Sequence, residues 1–283
     1  MFFKKIYRIV TVNNSLNISA LLASLVIVGC QQFSGDDNFN AESNSIDQKL
    51  TSEFLAVKSK AEGGDSYSQF RLGVMYAAGE GIERDASEAV EWYILAARNG
   101  VKEAQYNAGY AFLMGEGVPI DEAKAFRWYS KAAESGLSEA AFNLSLMYQQ
   151  GKGVERDMEQ SLLWAKKAAM AGDARAQHNL GSWYGGQDPG VTVDDEMAFK
   201  WYLMAAKQGI EASKYVVGSR YLYGAGVQKE PVLGYMWLMS IDRKTDLVQE
   251  AIKNAEDQMD AEALLMARRR IEQCESGILD SCL

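Results

Sequence analysis

Histidine occurs once in the 283 residues, at His178, and cysteine only at Cys30, Cys274 and Cys282. One imidazole and three scattered thiols, with no Cys-x-x-Cys, do not supply the ligand sets of zinc or transition-metal sites, so no metal and no cofactor is expected. Basic residues are in deficit, 29 Lys and Arg against 38 Asp and Glu, for a formal net charge of −9. Residues 1–29 hold Lys4, Lys5 and Arg8 and no acid, so the remainder carries 26 basic and 38 acidic residues, a charge of −12. Nucleic acid is thereby excluded as a partner, because backbone phosphates demand a cationic surface. The run Arg268-Arg269-Arg270 reads as a solvated face near a helix C-terminus, where the dipole favours cations. Ser-x-x-Lys and Gly-x-Ser-x-Gly are both absent, which removes the commonest serine-nucleophile signatures and leaves no catalytic residue to name. Carboxylates are plentiful but fall on helix starts and outer faces, whereas a glycosidase needs two of them facing each other across a cleft.

What the chain does contain is a tryptophan that returns on schedule: Trp92, Trp128, Trp164, Trp201 and Trp237, at steps of 36, 36, 37 and 36 residues. Other positions keep step with it. Gly73, Gly109, Gly181 and Gly218 recur, with Ser145 in the third unit; so do Tyr76, Phe112, Tyr148, Tyr184 and Tyr221, and the pairs Ala96-Ala97, Ala132-Ala133, Ala168-Ala169 and Ala205-Ala206. The one-residue slip lies between Tyr184 and Gly190, in a turn. Self-similarity at such a period denotes supersecondary units that bury their apolar faces only against neighbours, as in a solenoid.

Within the second unit, Ala104, Ala108 and Phe112 form one stripe of a helix, Gly115 to Pro119 make a turn, and Asp121 is placed to cap a second helix carrying Ala125, Trp128, Ala132 and Ala133. Gly136 then ends it. Asp85, Asp157 and Asp194 recur at the cap position, and Asp85 with Glu88 resembles a capping box. The tryptophan is expected to fill the space between the two helices of its own unit, and the alanine pairs to let the next unit approach. His178 occupies the register of Phe70, Tyr106, Phe142 and Tyr215, so an aromatic packing role is favoured over acid–base work. Gly79-Glu80-Gly81 and its equivalents lack the strand and lysine of phosphate loops and read as turns.

The pattern Ala-x-x-x-Leu-Gly-x-x-Tyr-x-x-Gly-x-Gly-Val, followed by Asp-x-x-x-Ala-x-x-Trp/Tyr-x-x-x-Ala-Ala-x-x-Gly, resembles the Sel-one-like repeats, relatives of the tetratricopeptide repeats. The resemblance implies an all-α fold, an α-solenoid of five antiparallel helix pairs over residues 65–242. A capping helix over 49–64 precedes them, with Leu50, Phe54, Val57 and Ala61 at helical spacing, and a C-terminal helical cap over 243–283 follows. It also implies adaptor and scaffold roles, often in the bacterial envelope, and no shared ligand.

The first 29 residues read as an export signal, with a positive start and an apolar stretch, Ala20 to Val28, too short to span a bilayer. Ile27-Val28-Gly29-Cys30 resembles the lipobox of bacterial lipoproteins, which implies cleavage before Cys30 and its acylation. Two or three acyl chains make such an anchor durable, at about 0.8 kcal/mol per buried methylene. Gln31 in the next position resembles lipoproteins sorted to the outer membrane, so the repeats are expected to face the periplasm. Residues 30–48, polar and acidic, read as a flexible tether reaching on the order of 20–25 Å. In an exported chain Cys274 and Cys282 are expected to close a disulfide, two unpaired thiols being the alternative. The cysteine-rich branch of the family implies that such a pair staples the C-terminal cap.

Helical geometry places Glu103, Asn107, Tyr110 and Met114 opposite the buried stripe of their helix, with Arg71 and Val74, Asn143 and Leu146, and Asn179 and Ser182 at matching positions. By analogy with tetratricopeptide arrays the first helices line a concave surface, making Arg71, Asn107, Tyr110, Asn143 and Asn179 the candidate partner-binding residues. Such a groove suits an extended peptide or helix of a cell-envelope protein; a small-molecule ligand is not expected. The asparagines have a second reading, as hydrogen bonds between neighbouring units. The expectation is a membrane-anchored, non-catalytic scaffold. The alternative is an envelope enzyme or binder acting on peptidoglycan, a β-lactam or an exported polysaccharide.

Overall fold

The structure is a computed structural model that describes residues 37–187 and 190–275, with side chains from Lys49 to Cys274. Every regular element among them is helical. The chain divides at Glu53/Phe54 into two units. The first holds the start of α1 (Asp37–Glu62). Helix thus covers residues 37–48, which were expected to belong to the flexible tether; a helix already nucleated downstream extends at little cost even through a sequence of modest propensity.

In the second unit the helices come in pairs: α2 (Ser66–Ala78) with α3 (Ala86–Arg98), α4 (Lys102–Met114) with α5 (Glu122–Glu134), α6 (Ser138–Gln150) with α7 (Met158–Met170), α8 (Ala174–Ser182) with α9 (Asp195–Lys207), and α10 (Glu211–Tyr223) with α11 (Pro231–Met239). Then follow α12 (Asp246–Glu256) and α13 (Ala261–Glu275). Within and between the pairs consecutive helices pack, and α13 packs on α11. Side-chain caps start the second helix of the first four pairs. Asp85, Asp121, Asp157 and Asp194 each accept hydrogen bonds from backbone N–H groups of the first turn they precede. In the fourth pair a π-turn, Trp183–Gln187, replaces the left-handed glycine that ends the other first helices. The inserted residue is absorbed there, outside the packed faces.

The space between the helices of one pair is filled by a residue other than the tryptophan. A Cβ added to Gly73 would lie 2.7 Å from the Tyr93 ring, and one on Gly181 2.7 Å from Tyr202. Gly109 meets Tyr129 in the same way. After Trp92, Trp128 and Trp201 the next residue, a tyrosine, therefore presses into a glycine of the first helix, and in the fifth pair Leu238 does the same against Gly218; any side chain there would push the helices apart. The third pair changes both partners together: Ser145 replaces the glycine and Ala165 the tyrosine, both fully buried. Trp128 packs instead against Ala96, Ala97 and Ala104, a cluster that joins one pair to the next. The expected position of the tryptophan is thus corrected: spacing showed its face, but the tyrosine one residue on, rotated about 100°, is the one turned into its own pair.

Neighbouring pairs are locked by two further devices. The turn at Gly117 lies so close to the start of α3 that an added Cβ would sit 2.2 Å from the Ala86 carbonyl oxygen, and Gly153 repeats this against Glu122. Buried glutamines donate from Nε2 to the carbonyls of the preceding pair: Gln69 to Ala61, Gln105 to Ala97, and Gln177 to Ala169, at 3.0–3.2 Å. Asn99 completes Gln69 by donating to its Oε1 at 3.0 Å, and Gln208 completes Gln177 at 2.8 Å. In the second pair the matching residue is Ser135, too short to reach, and Gln105 Oε1 is buried without a partner. In the third pair both positions are alanine, Ala141 and Ala171, so the network is absent rather than half made.

Two outcomes are expected. Gly181→Ser should cost ~1–3 kcal/mol from overpacking, and combining it with Tyr202→Ala should cost less than the sum of the singles by ~0.5–3 kcal/mol, read as a double-mutant cycle in urea unfolding. Ser135→Asn should raise stability by ~0.5–1.5 kcal/mol by giving Gln105 its missing donor, while Ser135→Ala should give no gain in the same assay.

Candidate partner-binding face

The first helices bring the candidate residues to one face. Arg71 on α2, Asn107 and Tyr110 on α4, Asn143 on α6 and Asn179 on α8 are all half-buried, while the alanines opposite them, Ala104 and Ala108 among them, are fully buried. Met114 at the end of α4 is 55% exposed. The face is therefore of the amide, aromatic and aliphatic character read from the sequence.

Not all of these amides are available. Asn107 sits at the Tyr93 hydroxyl of the preceding pair; burial pushes that phenol well above its ordinary range, and hydrogen bonding to Asn107 pulls against the push. Asn143 is shared between Tyr106 and Tyr129. Burial raises both phenols, most strongly Tyr129, and Asn143 opposes the rise in each. The Tyr129 hydroxyl is nonetheless left enclosed without a well-formed bond. Asn107 and Asn143 thus follow the second reading, as polar links between pairs. Asn179 differs. The residue that would face it, in register with Tyr93 and Tyr129, is Ala165, and the Asn179 side chain has no hydrogen-bond partner among the described residues.

Beside Asn179, Asp173 is buried at the start of α8, capping Arg175 and Ala176 through its carboxylate. It also holds the Arg175 guanidinium at 2.8 Å. Arg175 lies over the Phe142 ring at 4.7 Å. Burial alone would lower the Arg175 pKa, but the Asp173 hydrogen bond and charge outweigh it and hold the cation. Arg175, Tyr106 and Tyr129 were not singled out from the sequence. The signal was a break in register: the positions matching Arg175 are Tyr67, Glu103, Glu139 and Ala212, so this is the one cation of the set.

His178 packs edge-to-face on Tyr202, ring centroids 5.4 Å apart, and its Nδ1 is 2.8 Å from the Ser213 hydroxyl of the next pair. Burial lowers its pKa. Its place in the aromatic register matches the packing role. Among the described residues no cluster of His, Cys, Asp and Glu could hold a metal ion, and no helix is long and apolar enough to cross a membrane. Cys30 and Cys282 lie outside the described residues; Cys274 stands near the end of α13.

Removing Asn143 should take the amide from the half-buried Tyr106 phenol and leave the buried Tyr129 hydroxyl with still less compensation. Asn143→Ala is expected to cost ~1–3 kcal/mol, whereas Asn179→Ala should stay within about 0.5 kcal/mol, both measured by urea unfolding.

Five segments, residues 66–101, 102–137, 138–173, 174–210 and 212–238, match the Sel1 repeat. A protective antigen of uropathogenic Escherichia coli strains, displaying an SLR fold, shares 31% identity at a TM-score of 0.63, covering 81% of this chain and 53% of that one. A Sel1 repeat protein from Oxalobacter formigenes shares 26% identity at a TM-score of 0.61, covering 76% of this chain and 58% of that one. The chain thus spans between half and three fifths of the length of these two relatives. No curated protein matches it. With the period, the capped helix pairs and these matches in agreement, the chain belongs to the Sel1 repeat family.

Proposed function

We propose that this chain is a non-catalytic scaffold of the bacterial envelope, anchored through lipid on Cys30 to the outer membrane, with its repeats facing the periplasm and binding an extended protein or peptide segment along the first-helix face. Sel1 repeats in general mediate protein–protein interaction. The observation that carries the reading is the uncommitted Asn179 amide beside the fixed Arg175 cation, on a face that continues through Tyr110 to the exposed Met114. A free amide offers a donor and an acceptor to a peptide backbone, and a planar guanidinium already held on one side presents its remaining donors to a carbonyl or carboxylate. Tyr110 serves as the aromatic anchor. Asn107 and Asn143 act on the groove by holding neighbouring pairs in register.

Export is supported by the leader and by the lipobox-like Ile27-Val28-Gly29-Cys30. It is also in keeping with the relative that is a protective antigen, since such a protein has to be met by the host immune system.

Two measurements test the proposal. Metabolic labelling with an alkyne fatty acid should mark the chain, and Cys30→Ser should abolish the label and release the protein from the membrane fraction. A photocrosslinker placed at Tyr110 or Asn179 should capture one envelope protein in intact cells, and the same group at Leu163 on α7 should not. Equal capture from all three positions, or turnover of muropeptides or a chromogenic lactam by the purified chain, would refute it.

A further inference from the structure

Two helix faces far apart in sequence each carry exposed apolar residues flanked by charges of both signs. One is the outer face of α3, where Glu91, Trp92, Leu95 and Arg98 border an open depression of about 350 Å³. Leu95 is 39% exposed, and Glu91 and Arg98 are exposed without an ion-pair partner among the described residues. The other is the outer face of α13, where Glu262, Leu265, Met266 and Arg269 border an open depression of about 650 Å³. Leu265 and Met266 are 50% and 49% exposed. Arg268 is taken up by Glu256 at 3.0 Å, but Glu262 and Arg269 have no such partner among the described residues.

The two faces match. On α3 the order is acid, apolar, base: Glu91, Leu95 and Arg98, at steps of four and three residues. On α13, read backwards, it is base, apolar, acid: Arg269, Leu265 and Glu262, again at steps of four and three. Steps of four and three keep each triplet on one side of its helix. Laid antiparallel, the helices therefore set Glu91 against Arg269, Leu95 against Leu265 and Arg98 against Glu262, and antiparallel helix dipoles add to the fit. The corresponding triplets on the other second helices are Arg127, Lys131 and Glu134; Leu163, Lys167 and Met170; and Lys200, Met204 and Lys207. None has the acid–apolar–base order of α3.

We infer that the outer face of α13 in one copy of this chain docks on the outer face of α3 in a second copy, joining the copies head to tail. The contact is heterologous, using two different surfaces, so each joined copy still presents one open end unless a ring closes. It uses neither Cys30 nor the first-helix face, and its outcome is independent of the proposed function.

Sedimentation velocity of the purified full chain over a wide concentration range is the test. Species larger than a monomer should appear with rising concentration. Glu91→Arg and Arg269→Glu should each raise the dissociation constant at least ~10-fold, because each sets like charges together. Mixing the two variants restores opposite charges at every contact between unlike chains, and association should return to the wild-type level; a misfolded variant would not recover in this way. A chain that stays monomeric throughout, single reversals without effect, or a loss that mixing does not repair would overturn the inference. So would Arg269-dependent binding to anionic phospholipid vesicles with self-association unchanged, since the face would then belong to a lipid surface.

Discussion

The pairs of this protein depend on how closely two helices approach, and in three of the five that distance is set where a tyrosine ring lies on a glycine. A helix surface with no Cβ at Gly73, Gly109 or Gly181 is a slot, and the ring of Tyr93, Tyr129 or Tyr202 is cut to its depth. Interiors pack at crystal density, so neither partner can change alone without strain or a void. The third pair shows the constraint from the other side. Ser145 and Ala165 exchange a large-on-small contact for two small residues, and the space is made up with Ser161, whose hydroxyl donates to the Ser145 carbonyl at 2.8 Å.

That exchange has a consequence at the surface. A tyrosine in the slot presents its hydroxyl at the edge of the pair, where Asn107 and Asn143 of the following pairs meet it. Ala165 presents nothing, and Asn179 is released. The same logic governs the buried amides. Gln69 with Asn99 and Gln177 with Gln208 are complete, and Ala141 with Ala171 omits the network, as expected where a half-satisfied buried group costs more than an apolar one. Gln105 breaks the rule, with one oxygen stranded over Ser135. The third pair thus replaces the ring and the amides with buried hydroxyls bonded to backbone carbonyls, and the free polar groups of the first-helix face begin just after it. Position along the stack decides which asparagine is structural and which is open to a partner.

Much of this was legible in the sequence because a period of 36 residues repeats a whole supersecondary unit, so caps, turns and buried stripes can be read five times over. Asp121 and its equivalents cap as their spacing requires, and His178 packs where its register places it. What was not legible concerns neighbours. Helical spacing assigns a residue to a face but does not say which helix covers that face, so Trp128 was placed in its own pair rather than on Ala96 and Ala97 of the one before. The asparagines had two readings for the same reason: their fate depends on a hydroxyl contributed by another helix. Arg175 stood out only as a break in the register, a signal that alignment of the units would have exposed.

The two faces proposed as interfaces lie on opposite sides of the tyrosine layer. First helices turn their amides one way, second helices turn residues such as Glu91 and Leu95 the other, and the glycine slots hold the two sheets of helices together. A partner on the first-helix face and a second copy on α3 therefore do not compete for atoms. In a nearest-neighbour stack, moreover, strain at one pair is felt chiefly by the next, so occupancy at the α8 amide is buffered from α3 by the pairs between them. A second copy joined there adds its own Asn179 and Arg175 to the assembly. Such repetition raises avidity for a partner that is itself repetitive, since the second contact forms at the effective concentration set by the first.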